Sequence, residues 1–234
     1  AEERGIELGS VAPSGPGGRI VRQDVLAAAA ASRSEKPSEG TTLLPGKLVP
    51  LSRKRRITAD RMALSANTVA RVTLHSEVDA SALVALRQSL VPVYQSRYGV
   101  RLSYNAILVR ILGITLPRHP YPNARWREEG IYLIEAVNVG VAMALEDGLV
   151  VPVVQHAEQK GLVAIASELE QLVRKAREEQ LSLDELGGGT FTLTNLGSYG
   201  VDAFTPIVNP PEVAILGMGR IVERPVGVDG QIML

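Results

Sequence analysis

The sequence predicts an α/β fold, an α+β sandwich in which helices cover a largely mixed sheet. Three observations carry this. Apolar residues recur at helical spacing over 103–116 and 162–176. Short Val- and Ile-rich runs, bounded by glycines and turn residues, read as strands around and after them. The helical and strand patterns come in mixed order, as they do when helices pack on a sheet. With 234 residues, 45% of them hydrophobic, the chain can form one or two domains with a real core. Aromatics make up only 4%, so Val, Leu, Ile and Ala must build most of it.

Residues 1–31 read as a tiny unit. "SGPGGRI" is a turn-rich loop, and "RQDVLAAAAA" behind it is a strong helix former. About thirty residues bury little core alone. Residues 32–47, "SRSEKPSEGTTLLPGK", are rich in Ser, Glu, Pro and Gly and read as a flexible linker. Residues 48–234 are globular in pattern. Within them, 53–65 should form a helix with a basic cluster, and 69–79 alternates as a strand does. Leu83, Leu86 and Leu90 have helical spacing in 80–98, with Pro92 expected to kink or end that helix. In 103–116, Ile107, Leu108, Ile111, Leu112 and Leu116 share one face.

"GIYLIEAVNVGVAMALEDGLVVPVVQH" reads as strands broken by a turn at 146–148. Leu162, Ile165, Leu169, Leu172, Val173 and Ala176 form the clearest amphipathic stripe, with Glu170 and Arg174 placed to pair outside it. "TFTLTNL", "VAILGMG" and "RIVERPV" complete the predicted strands.

Lys and Arg total 25, as do Asp and Glu, giving zero net charge. A nucleic-acid binder driven by bulk charge is therefore disfavoured. No apolar run approaches the ~20 residues of a membrane span, and the start lacks the basic-then-apolar order of a signal peptide. There is no cysteine, which excludes disulfides and thiolate metal sites and suits a reducing cytoplasm.

The three histidines are the first candidates for a base. His75 and Asp79 are four residues apart, which on a helix would share a face. On the predicted strand the same spacing separates them by ~13 Å, too far for the carboxylate to orient the imidazole. His119 falls in a turn and His156 follows a strand, and both read as surface residues. No two histidines are close enough in sequence to suggest a metal pair. Neither a Gly-x-Ser-x-Gly elbow, a phosphate-binding loop nor a Gly-x-Gly-x-x-Gly fingerprint is present. The run "RKRR" at 53–56 has three readings: a solvated helix face, a nucleic-acid patch, or a site for an anionic ligand near a helix N-terminus.

The order and wording of the motifs go further. "SGPGGRIVRQDV" closely resembles the peripheral-subunit-binding domain of 2-oxo acid dehydrogenase complexes, and a Pro/Ser/Glu linker follows it. "PLSRKRRITADRM", "EVDASAL", "LSYNAILVR", "NVGVAM", "DGLVVPVV" and "GGTFTLTNLGSYGVDAFTPIVNPPEVAILGMG" resemble, in order, the dihydrolipoamide acyltransferase component of those complexes. The resemblance covers nearly the whole chain.

It implies a core like chloramphenicol acetyltransferase, preceded by a remnant of a small two-helix domain. It implies homotrimers built into a larger core, and transfer of an acyl group between a dihydrolipoyl thiol and coenzyme A. The lipoyl group would sit on a domain outside this chain. In such a site a histidine deprotonates the thiol and a hydroxyl stabilises the oxyanion. The hydroxyl matches Thr194. By the same resemblance Asn195 would help hold the thioester or pantetheine. Gly217 and Gly219 would let the coenzyme A arm pass close to backbone, and Arg55 would meet its phosphates. Asp24 would accept backbone N–H groups of the glycine loop. Arg19 and Arg22 would dock the 2-oxo acid decarboxylase or dihydrolipoamide dehydrogenase component.

Two departures stand out. The family's His-x-x-x-Asp-Gly motif does not occur in these residues, because "HSEVDA" lacks the Gly and sits at the wrong end. Arg71 stands where many members carry His. Both ends are expected to be cuts, and the chain as it stands is expected to be inactive. A non-catalytic docking scaffold and a basic-helix nucleic-acid binder remain as rival readings.

Overall fold

A computed structural model of the chain describes residues 14–15, 19–22, 24–25, 46–228 and 230–233. The chain divides into two compact units, Ala1–Pro50 and Leu51–Leu234. Most of the predicted linker 32–47 lies outside the described residues, as does most of the predicted helix at 22–31.

In the first unit, Gly15 and Arg19 form an antiparallel bridge, with the Gly15 N–H donating to the Arg19 carbonyl at 2.9 Å. Arg22, Asp24 and Val25 are helical. The Asp24 carboxylate accepts from the backbone N–H of Ser14 at 3.0 Å, the Ser14 hydroxyl at 2.5 Å and the Val21 N–H at 2.9 Å. One side chain thus ties Ser14 to Val21, accepting backbone N–H groups as expected of Asp24. These bonds, that from the Ser14 hydroxyl foremost, hold the Asp24 carboxyl below the usual carboxylate range.

The second unit opens with helix α1 (Arg53–Thr68), where Ser52 caps the N-terminus by accepting from the Arg55 N–H. α2 (Ser81–Tyr98) continues past Pro92, which therefore does not end it. Pro92 and Gln88 are both exposed, so water can serve the Gln88 carbonyl that the missing proline N–H leaves free. Gly99 ends the helix at φ 65°, a left-handed position that disfavours a side chain.

α3 (Tyr104–Thr115) buries Ala106, Ile107, Leu108, Val109 and Leu112. Ile111, expected on that face, is exposed instead. α4 (Leu162–Arg177) follows its predicted stripe and buries Ile165, Ala166, Leu169, Leu172 and Ala176. The expected Glu170–Arg174 pair is replaced by a contact to the backbone, in which Glu170 accepts from the Arg101 N–H at 3.4 Å. A single turn, α5 (Leu183–Leu186), carries a full capping box between Ser182 and Glu185.

Among the described residues, ten short strands lie between and after these helices. β1 (Ala124–Arg127) and β2 (Gly130–Leu133) form a hairpin, as do β4 (Met143–Leu145) and β5 (Gly148–Val150). β3 (Val139–Val141), β6 (Val153–Val154), β7 (Phe191–Asn195) and β8 (Ile215–Met218) make the central mixed sheet in the order β6-β3-β7-β8. β6 runs antiparallel to β3, while β3, β7 and β8 are parallel. The core forms where α3 and α4 bury their apolar faces with Val139, Val141, Val154, Phe191 and Leu193 of the sheet. β9 (Val226–Val228) and β10 (Gln231–Met233) close the described chain as a hairpin.

Two predicted strands do not form. Residues 69–79 keep the alternating pattern, but no strand lies beside them among the described residues. Val72, Leu74 and Val78 are 87%, 90% and 83% exposed. Alternation makes a segment competent to pair and does not supply the partner. "RIVERPV" is irregular until Val226, where β9 begins.

Candidate active site

β7 carries the first site residue. Phe191 and Leu193 point into the core, so the strand's period of two sends Thr192 and Thr194 to the opposite face. The two hydroxyls on that face differ sharply. The Thr192 hydroxyl donates to Glu212 Oε2 at 2.5 Å. Among the described residues, nothing hydrogen-bonds the half-buried Thr194 hydroxyl. It is a donor without a partner at the end of a parallel strand, where open α/β sheets place their ligands.

Thr194 stands opposite Gly217 in the β7–β8 register. A Cβ on Gly217 would lie 3.0 Å from Phe204 Cζ and 3.2 Å from Pro206 Cγ. Glycine at this position therefore lets the Phe204 ring and Pro206 come close beside Thr194. A Cβ on Gly219 would overlap the Asp202 carbonyl oxygen. The close approach expected of a coenzyme A arm is taken at both glycines by the chain's own segment 201–206. That segment is held by Arg220, which pairs with Asp202 at 2.5 and 3.1 Å and whose N–H donates to the Val201 carbonyl at 2.8 Å.

Asn195 follows Thr194 in sequence but projects to the other face. Its Nδ2 donates to Asn105 Oδ1 at 2.8 Å, and its Oδ1 accepts from the Gly197 N–H at 2.9 Å. The side chain is thus spent on structure, and the two adjacent residues do not converge. Arg55 also has partners of its own, although its side chain is half exposed. Its guanidinium donates to the Glu146 carbonyl at 3.3 Å and lies 3.6 Å from the Asp147 carboxylate, tying α1 to the β4–β5 turn. Arg19 and Arg22 are exposed, as a docking surface requires.

None of the histidines has the surroundings of a base beside Thr194. His75 is exposed on the unpaired segment, and His119 is exposed after a 3-10 turn. His156, at φ 48°, has Nδ1 3.2 Å from the Glu158 carboxylate. Burial opposes the charge on Glu158. The Val137 N–H, His156 and Gln159 outweigh it and hold the carboxyl below the usual range. Because Glu158 also anchors the Val137 backbone at 2.9 Å, this pair reads as a brace at the start of β3.

Sequence reasoning missed Glu212, Phe204 and Asn105. Glu212 is 5% exposed and also accepts from Asn209 Nδ2 at 3.2 Å. Its burial pushes the carboxyl up, against the partial relief from Thr192, Asn209 and the nearby Arg125 charge. A carboxylate in "NPPEVAIL" was visible, but its burial was not. Among the described residues, no cluster of three or more potential metal ligands occurs and no helix is long and apolar enough to cross a membrane.

Comparison with known proteins gives the family and the fold. Residues 45–234 match the family model for the 2-oxoacid dehydrogenases acyltransferase catalytic domain, and residues 1–26 match the e3 binding domain. The chain is 38% identical over 97% of its length to the dihydrolipoyllysine-residue acetyltransferase component of the acetoin cleaving system of Bacillus subtilis, covering 56% of that protein. It is 40% identical over 100% of its length to the lipoamide acyltransferase component of the branched-chain alpha-keto acid dehydrogenase complex of Pseudomonas putida, again covering 56%. The chain thus spans about half the length of the curated relatives it matches.

Among solved structures, the cubic core of the pyruvate dehydrogenase multienzyme complex superposes with a TM-score of 0.79 at 34% identity, over 84% of this chain and 81% of that one. A probable dihydrolipoamide acetyltransferase from Listeria monocytogenes superposes at 0.77 with 33% identity, over 80% of both chains. With a catalytic-domain match from 45 to 234 and relatives at up to 40% identity along its whole length, the chain belongs to the 2-oxo acid dehydrogenase acyltransferase family.

Proposed function

We propose that this chain carries the docking and acyl-transfer portions of the acyltransferase component of a 2-oxo acid dehydrogenase complex. It moves an acyl group between a dihydrolipoyl thiol and coenzyme A. The observation that carries the proposal is the Thr194 hydroxyl, without a hydrogen-bond partner among the described residues, at a strand end inside the stretch that the catalytic-domain model matches.

In the reaction a base takes the proton of the attacking thiol, and the sulfur adds to the thioester carbonyl. The carbonyl oxygen becomes an oxyanion. Collapse of the intermediate breaks the bond to the other sulfur, which leaves with the electron pair and takes up the proton. Thr194 donates its hydroxyl hydrogen to the oxyanion as charge develops, where a preorganised donor is worth most. Phe204 and Pro206, close against Gly217, wall the same side and limit water. Gly219 acts by shaping this wall, and Asn195 acts from the opposite face by holding the end of β7. Arg55 offers its charge to the phosphates of coenzyme A.

The base is a histidine of a His-x-x-x-Asp-Gly motif that these 234 residues do not contain. A second reading is a docking scaffold without chemistry. In either case the first unit binds the decarboxylase or dihydrolipoamide dehydrogenase component through Arg19 and Arg22. The second unit assembles as a homotrimer within a larger core, in the cytoplasm.

Acetyl transfer from acetyl-CoA to dihydrolipoamide, assayed on the full-length protein and on the 234-residue chain, separates the two readings. Turnover by the full-length protein alone is expected. No turnover by either leaves the scaffold reading, and turnover by the 234-residue chain contradicts the placement of the base. Loss of retention on coenzyme A-agarose at low salt in Arg55→Ala tests the phosphate contact.

A further inference from the structure

β7 is held unevenly along its length. Phe191, Thr192 and Leu193 are flanked by β3 on one side, and Thr192 onward by β8 on the other. Pairing with β3 stops at Leu193, whose carbonyl takes the last bond, from the Ala142 N–H at 2.9 Å. Thr194 and Asn195 are thus paired only with β8. Immediately beyond them the chain turns into the 3-10 segment Gly197–Tyr199. A strand end with one free side can twist, and a twist here would swing the Thr194 hydroxyl.

The Asn195 amide supplies the missing restraint. Its Nδ2 is fixed by Asn105 Oδ1 at 2.8 Å, and its Oδ1 by the Gly197 N–H at 2.9 Å. Asn105 is rigid in turn. It is the second residue of α3, whose N-terminus is capped by the Ser103 hydroxyl accepting from the Ala106 N–H, and whose next four residues are buried. Because successive side chains of a strand point to opposite faces, fixing Asn195 toward the helix fixes Thr194 away from it.

We propose that Asn105 is a positioning residue for acyl transfer. By clamping Asn195 to α3 it holds the Thr194 hydroxyl in the direction the oxyanion requires. This rests on the role proposed for Thr194. Asn105 touches neither substrate in this account, so its removal should cost turnover and not binding.

The test uses the full-length protein with acetyl-CoA and dihydrolipoamide. Asn105→Leu, which removes the acceptor, should lower kcat roughly ten- to a hundred-fold, the scale of a small misplacement, with KM for acetyl-CoA unchanged. Asn105→Asp keeps an acceptor, at a first-turn position that favours a carboxylate, and should recover most of the loss. Thr194→Ala should lower kcat on its own, and adding Asn105→Leu to it should cost little more, since the clamp then has nothing to aim.

An Asn105→Leu enzyme with wild-type kcat, beside an impaired Thr194→Ala enzyme, overturns the positioning role and leaves the oxyanion assignment standing. Wild-type kcat in Thr194→Ala overturns both. If Asn105→Leu fails to fold, Asn195→Asp probes the same clamp. It keeps the acceptor for Gly197 and loses the donor to Asn105, and unchanged kcat there overturns the proposal.

Discussion

The Thr192 hydroxyl donates to the Glu212 carboxylate over 2.5 Å, in a setting where Glu212 is 5% exposed. This bond joins the middle of the central sheet to the segment that leads into β8. Burial raises the Glu212 carboxyl, so the folded protein holds a proton there more tightly than the unfolded chain. Stability from this group is complete below the ordinary carboxylate range. It is lost as pH rises through the raised value. Denaturant melts between about pH 4 and 8 should show wild-type stability falling with pH, and Glu212→Gln should flatten that fall. A steeper fall in the variant would contradict the assignment.

The two threonines of one strand face should behave oppositely. Thr192→Val leaves a buried carboxyl without its donor and should cost about 1–3 kcal/mol. Thr194→Val removes a hydroxyl with no partner among the described residues and should change stability by less than about 0.5 kcal/mol. Chemical denaturation of both variants checks this. Equal losses would mean that the Thr194 hydroxyl is structural.

Gly219 and Gly227 offer a matched pair. A methyl at Gly219 would strike the Asp202 carbonyl, whereas nothing lies within 4 Å of one at Gly227. Gly219→Ala should destabilise by roughly 1–3 kcal/mol, the usual cost of overpacking, and Gly227→Ala should be close to neutral. Thermal melts of the two variants give the comparison.

Asp24 ties Ser14 to Val21 in the first unit, and those bonds lower its carboxyl pKa. The stability it adds is therefore present above the ordinary Asp value and is lost as pH falls through the lowered one. Asp24→Ala should reduce binding to a partner enzyme component even though the exposed Arg19 and Arg22 remain. Calorimetric titration with each component tests this. Full affinity in the variant would show that the loop holds its shape without the carboxylate.

Much of the fold was legible because it depends on local pattern. The stripe of 162–176 became α4, and "TFTLTNL" became β7, since helical spacing and β-branched runs act within a few residues. Segment 69–79 shows the limit. Its alternation is clean, yet a strand needs a neighbour, and pairing is a property of the fold as a whole. Pro92 shows another, because its tolerance depends on facing water.

The site divides in the same way. Thr194 was reached through the wording of its motif, and its free hydroxyl fits the role. The bond between Asn105 and Asn195 joins residues 90 positions apart and has no sequence signal. Nor did any signal show that segment 201–206 would fill the space beside Gly217 and Gly219.

The most direct test of the central claim is the kinetics of Thr194→Ala in the full-length protein, with acetyl-CoA and dihydrolipoamide as substrates. Loss of an oxyanion donor predicts a fall in kcat of about 10²–10³-fold, with KM for both substrates near the wild-type values and an unchanged melting temperature. A variant that keeps wild-type kcat, or loses activity only through a higher KM, would contradict the account.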